Sequence, residues 1–246
     1  MRKIYVVPNL VTTANLFFGF YSAIASIQGD FVIAAWAILG AGVCDALDGR
    51  IARLARATSP FGVQYDSMSD LVSFGMAPAL LLFQWALTPF GRLGWMASFL
   101  FVTCGALRLA RFNVTTHSIP KGYFQGLPIP MAAGVVATFI IFNNTLGWPD
   151  NTTEGLTHQI VALIFAFGLS TLMVSSIKFP SFKEFNWRSR VSFCYLLTGI
   201  LSMILIASKP EIMFFLILCG YILISLGMNL FKMIKTETHT HEHPSS

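Results

Sequence analysis

Eight stretches of apolar sequence follow one another with short connections, at residues 6–27, 31–48, 64–87, 94–112, 128–146, 158–177, 191–208 and 212–231. Each is long enough, or nearly so, to cross a bilayer. In hydrocarbon no water can satisfy backbone N–H and C=O groups, so such segments must form helices, whose hydrogen bonds are internal. The composition agrees: the chain is 55% hydrophobic and 11% charged, with a mean hydropathy of +0.67, outside the range of soluble domains. The fold class expected is all-α, a polytopic integral membrane protein of about eight transmembrane helices. Residues 1–231 form one membrane domain and 232–246 a polar, disordered cytoplasmic tail. The first apolar stretch is long and has no small-residue cleavage site before further polar sequence, so it reads as a retained helix rather than a signal peptide.

Charge fixes an orientation. With the N-terminus inside, fourteen of the sixteen Lys and Arg fall on the cytoplasmic side, leaving only Arg92 and Lys209 outside. The net charge of +5 therefore reports orientation and anionic headgroups, and no nucleic-acid motif competes with that reading. The expected location is the cell (inner) membrane, with both termini cytoplasmic. Residues 143–158 are polar, turn-rich and free of Lys and Arg, as suits an external loop; their two Asn-x-Thr triplets carry no assignment. Residues 178–190 interleave basic and aromatic side chains and read as an anchor at the headgroup level. Cys44, Cys104, Cys194 and Cys219 lack paired spacing and read as small packing residues. The three histidines of the tail read as solvated.

Against this apolar background stand four aspartates: Asp45 and Asp48, three residues apart, and Asp66 and Asp70, four apart. Each pair shares a helix face, so two helices meeting there gather four carboxylates in one small volume. Like charges at that depth need cations, and divalent metals take hard oxygen ligands of this kind. An acidic residue at a helix end is often only a cap, but four in register argue for a site. Gly49 and Gly62 suit close helix approach as well as the approach of a phosphate to backbone.

The run Asp45-x2-Asp48-Gly49-x2-Ala52-Arg53-x8-Gly62-x3-Asp66-x3-Asp70 resembles, position for position, the signature of the CDP-alcohol phosphatidyltransferases. The resemblance implies two divalent ions, Mg2+ or Mn2+, on Asp45, Asp48, Asp66 and Asp70, with Asp70 also the general base. Paired ions roughly 3.5–4 Å apart clamp the attacking and leaving oxygens of a phosphoryl displacement. It further implies a CDP-lipid site that includes Gly49, Arg53, Ser59 and Gly62, with Asn9 and Thr12 of the Pro8-Asn9-x2-Thr12 element nearby, at the cytoplasmic membrane boundary. A homodimer is also implied.

The signature gives a reaction class and leaves the acceptor open. Residues 71–78, 106–113 and 124–130, with Asn9 to Thr12 and Gly19-Phe20, resemble the branch of the family that acts on CDP-diacylglycerol and L-serine, over about residues 5 to 135. That implies transfer of the phosphatidyl group to the serine hydroxyl with release of CMP. Serine is zwitterionic, and Arg108, Arg111 and Asn113 form a cluster suited to its carboxylate, although the two arginines equally suit positive-inside anchoring or the diphosphate. No His-x-Lys motif of the kind used for a covalent histidine intermediate occurs. A sister transferase with glycerol 3-phosphate or inositol phosphate as acceptor, and an ion transporter, remain the alternatives; membrane lipids are partners on every reading, and nucleic acid on none.

Overall fold

The computed structural model describes residues 6–54, 59–115, 123–147, 155–180 and 209–241. Seven helices among them are long and apolar enough to cross a membrane, which makes this an integral membrane protein. They are α1 (Val6–Gln28), α2 (Phe31–Leu54), α3 (Pro60–Phe90), α4 (Arg92–Thr115), α5 (Ile129–Leu146), α6 (Gly155–Val174) and α7 (Pro210–His241). Seven of the eight apolar stretches are thus helices at the expected places, and the stretch at 191–208 lies outside the described residues.

Helix α5 is the axis of the bundle. Twelve of its eighteen residues are buried, and it packs against α2 and α7, whereas α1 packs mainly on α2 and α4 on α6. The faces that meet are built from small residues, among them Ala34, Ala35 and Ala41 of α2 and Ala132, Ala133 and Ala137 of α5, each almost fully buried. Small side chains let backbones approach closely where lipid offers no hydrophobic drive to associate. Larger apolar groups such as Phe17, Phe20, Val43 and Phe99 point outward, as lipid-facing residues should. Tight turns join α1 to α2 at Gly29 (φ 87°) and α3 to α4 at Gly91 (φ 53°), left-handed conformations that glycine adopts without a Cβ penalty. At that end of the bundle Trp85, Phe139, Phe165 and Phe215 stack edge to face and pin α3, α5, α6 and α7 together.

Helix α3 departs from regular geometry in a way hydropathy does not show. It is α-helical from Pro60 to Asp70, widens to π-helical turns at Leu71–Met76 and Phe83–Leu87, and closes with a 3-10 turn at Thr88–Phe90. Pro78 has no N–H and its ring would press on the carbonyl four residues back, so the preceding turn widens, and Ala77 N–H bonds back to the Val72 carbonyl. The widened turn starts at the residue after Asp70.

Two further differences from the sequence reading concern the ends. The all-α expectation holds, with one addition among the described residues: a short antiparallel ladder pairs β1 (Tyr123–Gln125) with β2 (Lys178–Pro180), Phe124 opposite Phe179, as a two-stranded clasp between helices. Gly126 N–H to Ile177 O (2.9 Å) and Leu127 N–H to Leu172 O (3.0 Å) extend the clasp onto the end of α6. The rest of the 178–190 anchor reading falls outside the described residues. The tail reading is also revised: α7 continues through Lys232 as far as His241. Hydropathy marks where a helix leaves lipid, not where it ends, and neither Pro nor Gly stands between Met228 and His241 to stop it.

Candidate active site

Asp45 and Asp48 lie one turn apart near the end of α2, and Asp66 and Asp70 one turn apart in the opening of α3. The two helix ends meet, and Asp45, Asp48 and Asp66 each bring a carboxylate oxygen within 4.8 Å of the other two. At that spacing each ionised pair repels by about 3 kcal/mol for an effective dielectric near 20. Among the described residues no Lys or Arg forms an ion pair with them. Asp66 Oδ1 is buried without a hydrogen-bond partner. Three converging hard oxygen donors and an orphaned carboxylate oxygen fit a divalent cation. Asp70 stands one turn deeper, only 8% exposed, within electrostatic reach of the other three.

Helix α1 braces this cluster along one face. Thr12 Oγ1 donates to Asp48 Oδ2 (3.0 Å), and Asn15 Nδ2 donates to Asp70 Oδ1 (3.1 Å). In the reverse direction Ser69 Oγ bonds the Thr12 carbonyl (3.1 Å) and Ser73 Oγ the Asn15 carbonyl (2.9 Å). The seam is closed by Gly19, where a Cβ would stand 2.6 Å from the Cα of Ser73. Asn15, Ser69 and Ser73 were not singled out in the sequence, although the signal was present. Asn15 follows Thr12 by three residues, Gly19 follows Asn15 by four, and Ser69 and Ser73 are four apart, so each set shares a helix face.

Other sequence-predicted residues gather at the mouth. Ser59 caps α3, its Oγ accepting from Gly62 N–H (3.0 Å). A Cβ on Gly62 would lie 3.1 Å from that Oγ and 3.6 Å from Asn9 Oδ1, so Asn9, Ser59 and Gly62 converge. Gly49 follows Asp48 and is half-buried; the Arg53 side chain lies outside the described residues.

The cluster Arg108, Arg111 and Asn113 divides. Arg108 is buried, its Nε has no hydrogen-bond partner, and its guanidinium lies within electrostatic range of Asp70. Arg111 is committed elsewhere: it donates to the carbonyls of Val174 (3.1 Å) and Ser175 (3.2 Å) and packs on Gly126, tying α4 to the end of α6. Asn113 donates to Ser67 Oγ on α3 (3.0 Å). A cavity of about 430 Å³ lined by Asp30, Trp85, Asn143 and His158 lies at the opposite end of the bundle, remote from the carboxylates.

Residues 5–174 match the sequence profile of the CDP-alcohol phosphatidyltransferase family. The chain is 35% identical over 235 residues to the CDP-diacylglycerol–serine O-phosphatidyltransferase of Helicobacter pylori, covering 96% of this chain and 95% of that one. It is 35% identical over 175 residues to the archaetidylserine synthase of Methanothermobacter thermautotrophicus, covering 70% of this chain and 69% of the relative. To the Saccharomyces cerevisiae CDP-diacylglycerol–serine O-phosphatidyltransferase it is 33% identical over 210 residues, covering 73% and 72%.

Proposed function

This chain belongs to the CDP-alcohol phosphatidyltransferase family, and from that membership we propose that it transfers the phosphatidyl group of CDP-diacylglycerol to the hydroxyl of L-serine, releasing CMP. The observation that carries the choice of acceptor is the likeness to the H. pylori serine transferase, which runs over nearly the whole of both chains.

The geometry supports a direct displacement. Asp70, in the opening of α3 and held by Asn15, takes the proton of the serine hydroxyl in this reading. The serine Oγ then attacks the phosphorus that bears diacylglycerol, the bond from that phosphorus to the bridging oxygen breaks, and CMP leaves with the electron pair. Asp45, Asp48 and Asp66 would hold one divalent ion, and Asp45, Asp66 and Asp70 a second, Mg2+ or Mn2+. When bound, such ions supply positive charge against the diphosphate. Asn9, Ser59, Gly62, Gly49 and Arg53 border the nucleotide, whereas Thr12 acts through Asp48. Arg108 is the carboxylate partner for serine; Arg111 and Asn113 brace the helices around it. The site faces the cytoplasm, where serine and the released CMP are soluble, both termini lie on that side of the cell membrane, and the working unit is a homodimer.

The test is purified protein with CDP-diacylglycerol and a panel of alcohols, scored for CMP. Release with L-serine that requires Mg2+ or Mn2+ is expected. Release with glycerol 3-phosphate or an inositol phosphate in place of serine would move the chain to a sister reaction.

A further inference from the structure

Two polar atoms near Asp70 are buried and have no hydrogen-bond partner: Asn15 Oδ1 on α1 and Arg108 Nε on α4. Buried polar atoms are almost always paired, so two orphans bordering one reactive carboxylate call for an explanation. The first is an acceptor and the second a donor. Asn15 is fully buried, and its orientation is determined by its neighbour. A carboxylate about to take a proton is acceptor-only, so the amide must present its N–H to Asp70, as it does at 3.1 Å, and its oxygen must turn away.

On the reading that L-serine is the acceptor, we propose that Asn15 both orients Asp70 and recognises the ammonium group of the incoming alcohol. Serine brings three groups to the site: a hydroxyl that loses its proton, an ammonium that only donates, and a carboxylate that only accepts. Around Asp70 the chain presents a matching set. The carboxyl oxygen not engaged by Asn15 meets the hydroxyl, Asn15 Oδ1 meets the ammonium, and Arg108 Nε meets the carboxylate. An acceptor bearing a phosphate in place of the ammonium would set its oxygens against the Asn15 oxygen and leave that oxygen unpaired, so the same residue excludes phosphorylated alcohols. Asn15 is thereby a positioning residue toward Asp70 and a specificity residue toward the substrate.

The test measures kcat and KM with L-serine and with 3-hydroxypropanoate, which keeps the hydroxyl and carboxylate but lacks the amine. The wild-type protein should prefer serine in kcat/KM by about tenfold or more, the value of one charge-assisted hydrogen bond. In Asn15→Ala that preference should collapse toward unity, kcat should fall with both alcohols because Asp70 has lost its N–H partner, and the KM for CDP-diacylglycerol should hold. A wild-type protein that used 3-hydroxypropanoate as well as serine would overturn the proposal even if Asn15→Ala failed to fold. So would an Asn15→Ala protein that lost activity by the same factor with both alcohols. Wild-type protein that released CMP only with phosphorylated alcohols would instead remove the serine reading, and the inference with it.

Discussion

The hydroxyl of Thr12 stands 3.0 Å from Asp48 Oδ2 and 3.1 Å from the Pro8 carbonyl, so a single side chain anchors a carboxylate of the cluster to the first helix. A hydrogen bond to a charged group contributes about 1.5–3 kcal/mol. Thr12→Val keeps the shape and loses that bond. The Mg2+ or Mn2+ concentration for half-maximal CMP release should rise roughly tenfold or more, with Thr12→Ser close to wild type. A metal-activation curve unmoved in Thr12→Val would leave Thr12 as a nucleotide contact only.

Asp66→Asn should abolish turnover even at saturating metal, because its carboxylate sits in the cluster with a buried oxygen that nothing else satisfies. The loss should exceed about 100-fold, the upper range for residues that merely support a ligand. Chelation by EDTA should do the same to the wild-type protein, reversibly on adding Mg2+ or Mn2+. Asp70→Asn should fail in chemistry while still binding CDP-diacylglycerol, measured by calorimetry in detergent. Equal loss of nucleotide binding in both variants would remove the separate base role.

Gly19→Ala places a methyl group against the Ser73 backbone, which cannot move aside as a flexible side chain would. Overpacking of this kind costs about 1–3 kcal/mol. The melting temperature in detergent should drop, and CMP release should fall as α1 shifts away from Asp70. Gly168→Ala, where the new Cβ meets nothing within 4 Å, is the matched control: it should leave CMP release unchanged and should not lower the melting temperature.

Arg108→Gln and Arg111→Gln should separate. Removing the charge at Arg108 should raise the KM for serine by roughly 10- to 150-fold with little change for CDP-diacylglycerol, the loss of one charge-assisted interaction. Arg111→Gln should lower thermal stability instead, since its guanidinium holds the carbonyls of Val174 and Ser175. A serine defect confined to Arg111→Gln would reverse the assignment.

In a cysteine-free background, a cysteine at Asn144 should label with an impermeant maleimide from outside intact cells, and one at Arg56 only after permeabilisation. The opposite pattern would invert the membrane orientation and strand the carboxylates away from cytoplasmic nucleotide.

The sequence by itself determined the helices and the clustered carboxylates, for physical reasons that act locally. Apolar length dictates a spanning helix because lipid leaves the backbone no other partner, and Asp45, Asp48, Asp66 and Asp70 stand out because charge at that depth is costly. Spacing was enough to place each aspartate pair on one face, and the trio within 4.8 Å followed when the two helix ends met. Only the tertiary structure decided what surrounds them. Polar atoms on the small side chains of Asn15, Ser69 and Ser73 acquire meaning from partners more than fifty residues away, which no local pattern encodes. Arg108 and Arg111, three residues apart on one helix and alike in chemistry, parted company for the same reason. One lies buried within electrostatic reach of Asp70 and the other reaches the end of α6, a choice made by which helices pack beside α4 and not by the arginines themselves. The widening of α3 after Asp70 is intermediate: Pro78 announces a disturbed helix, but the turn that absorbs it is set by the packing around it.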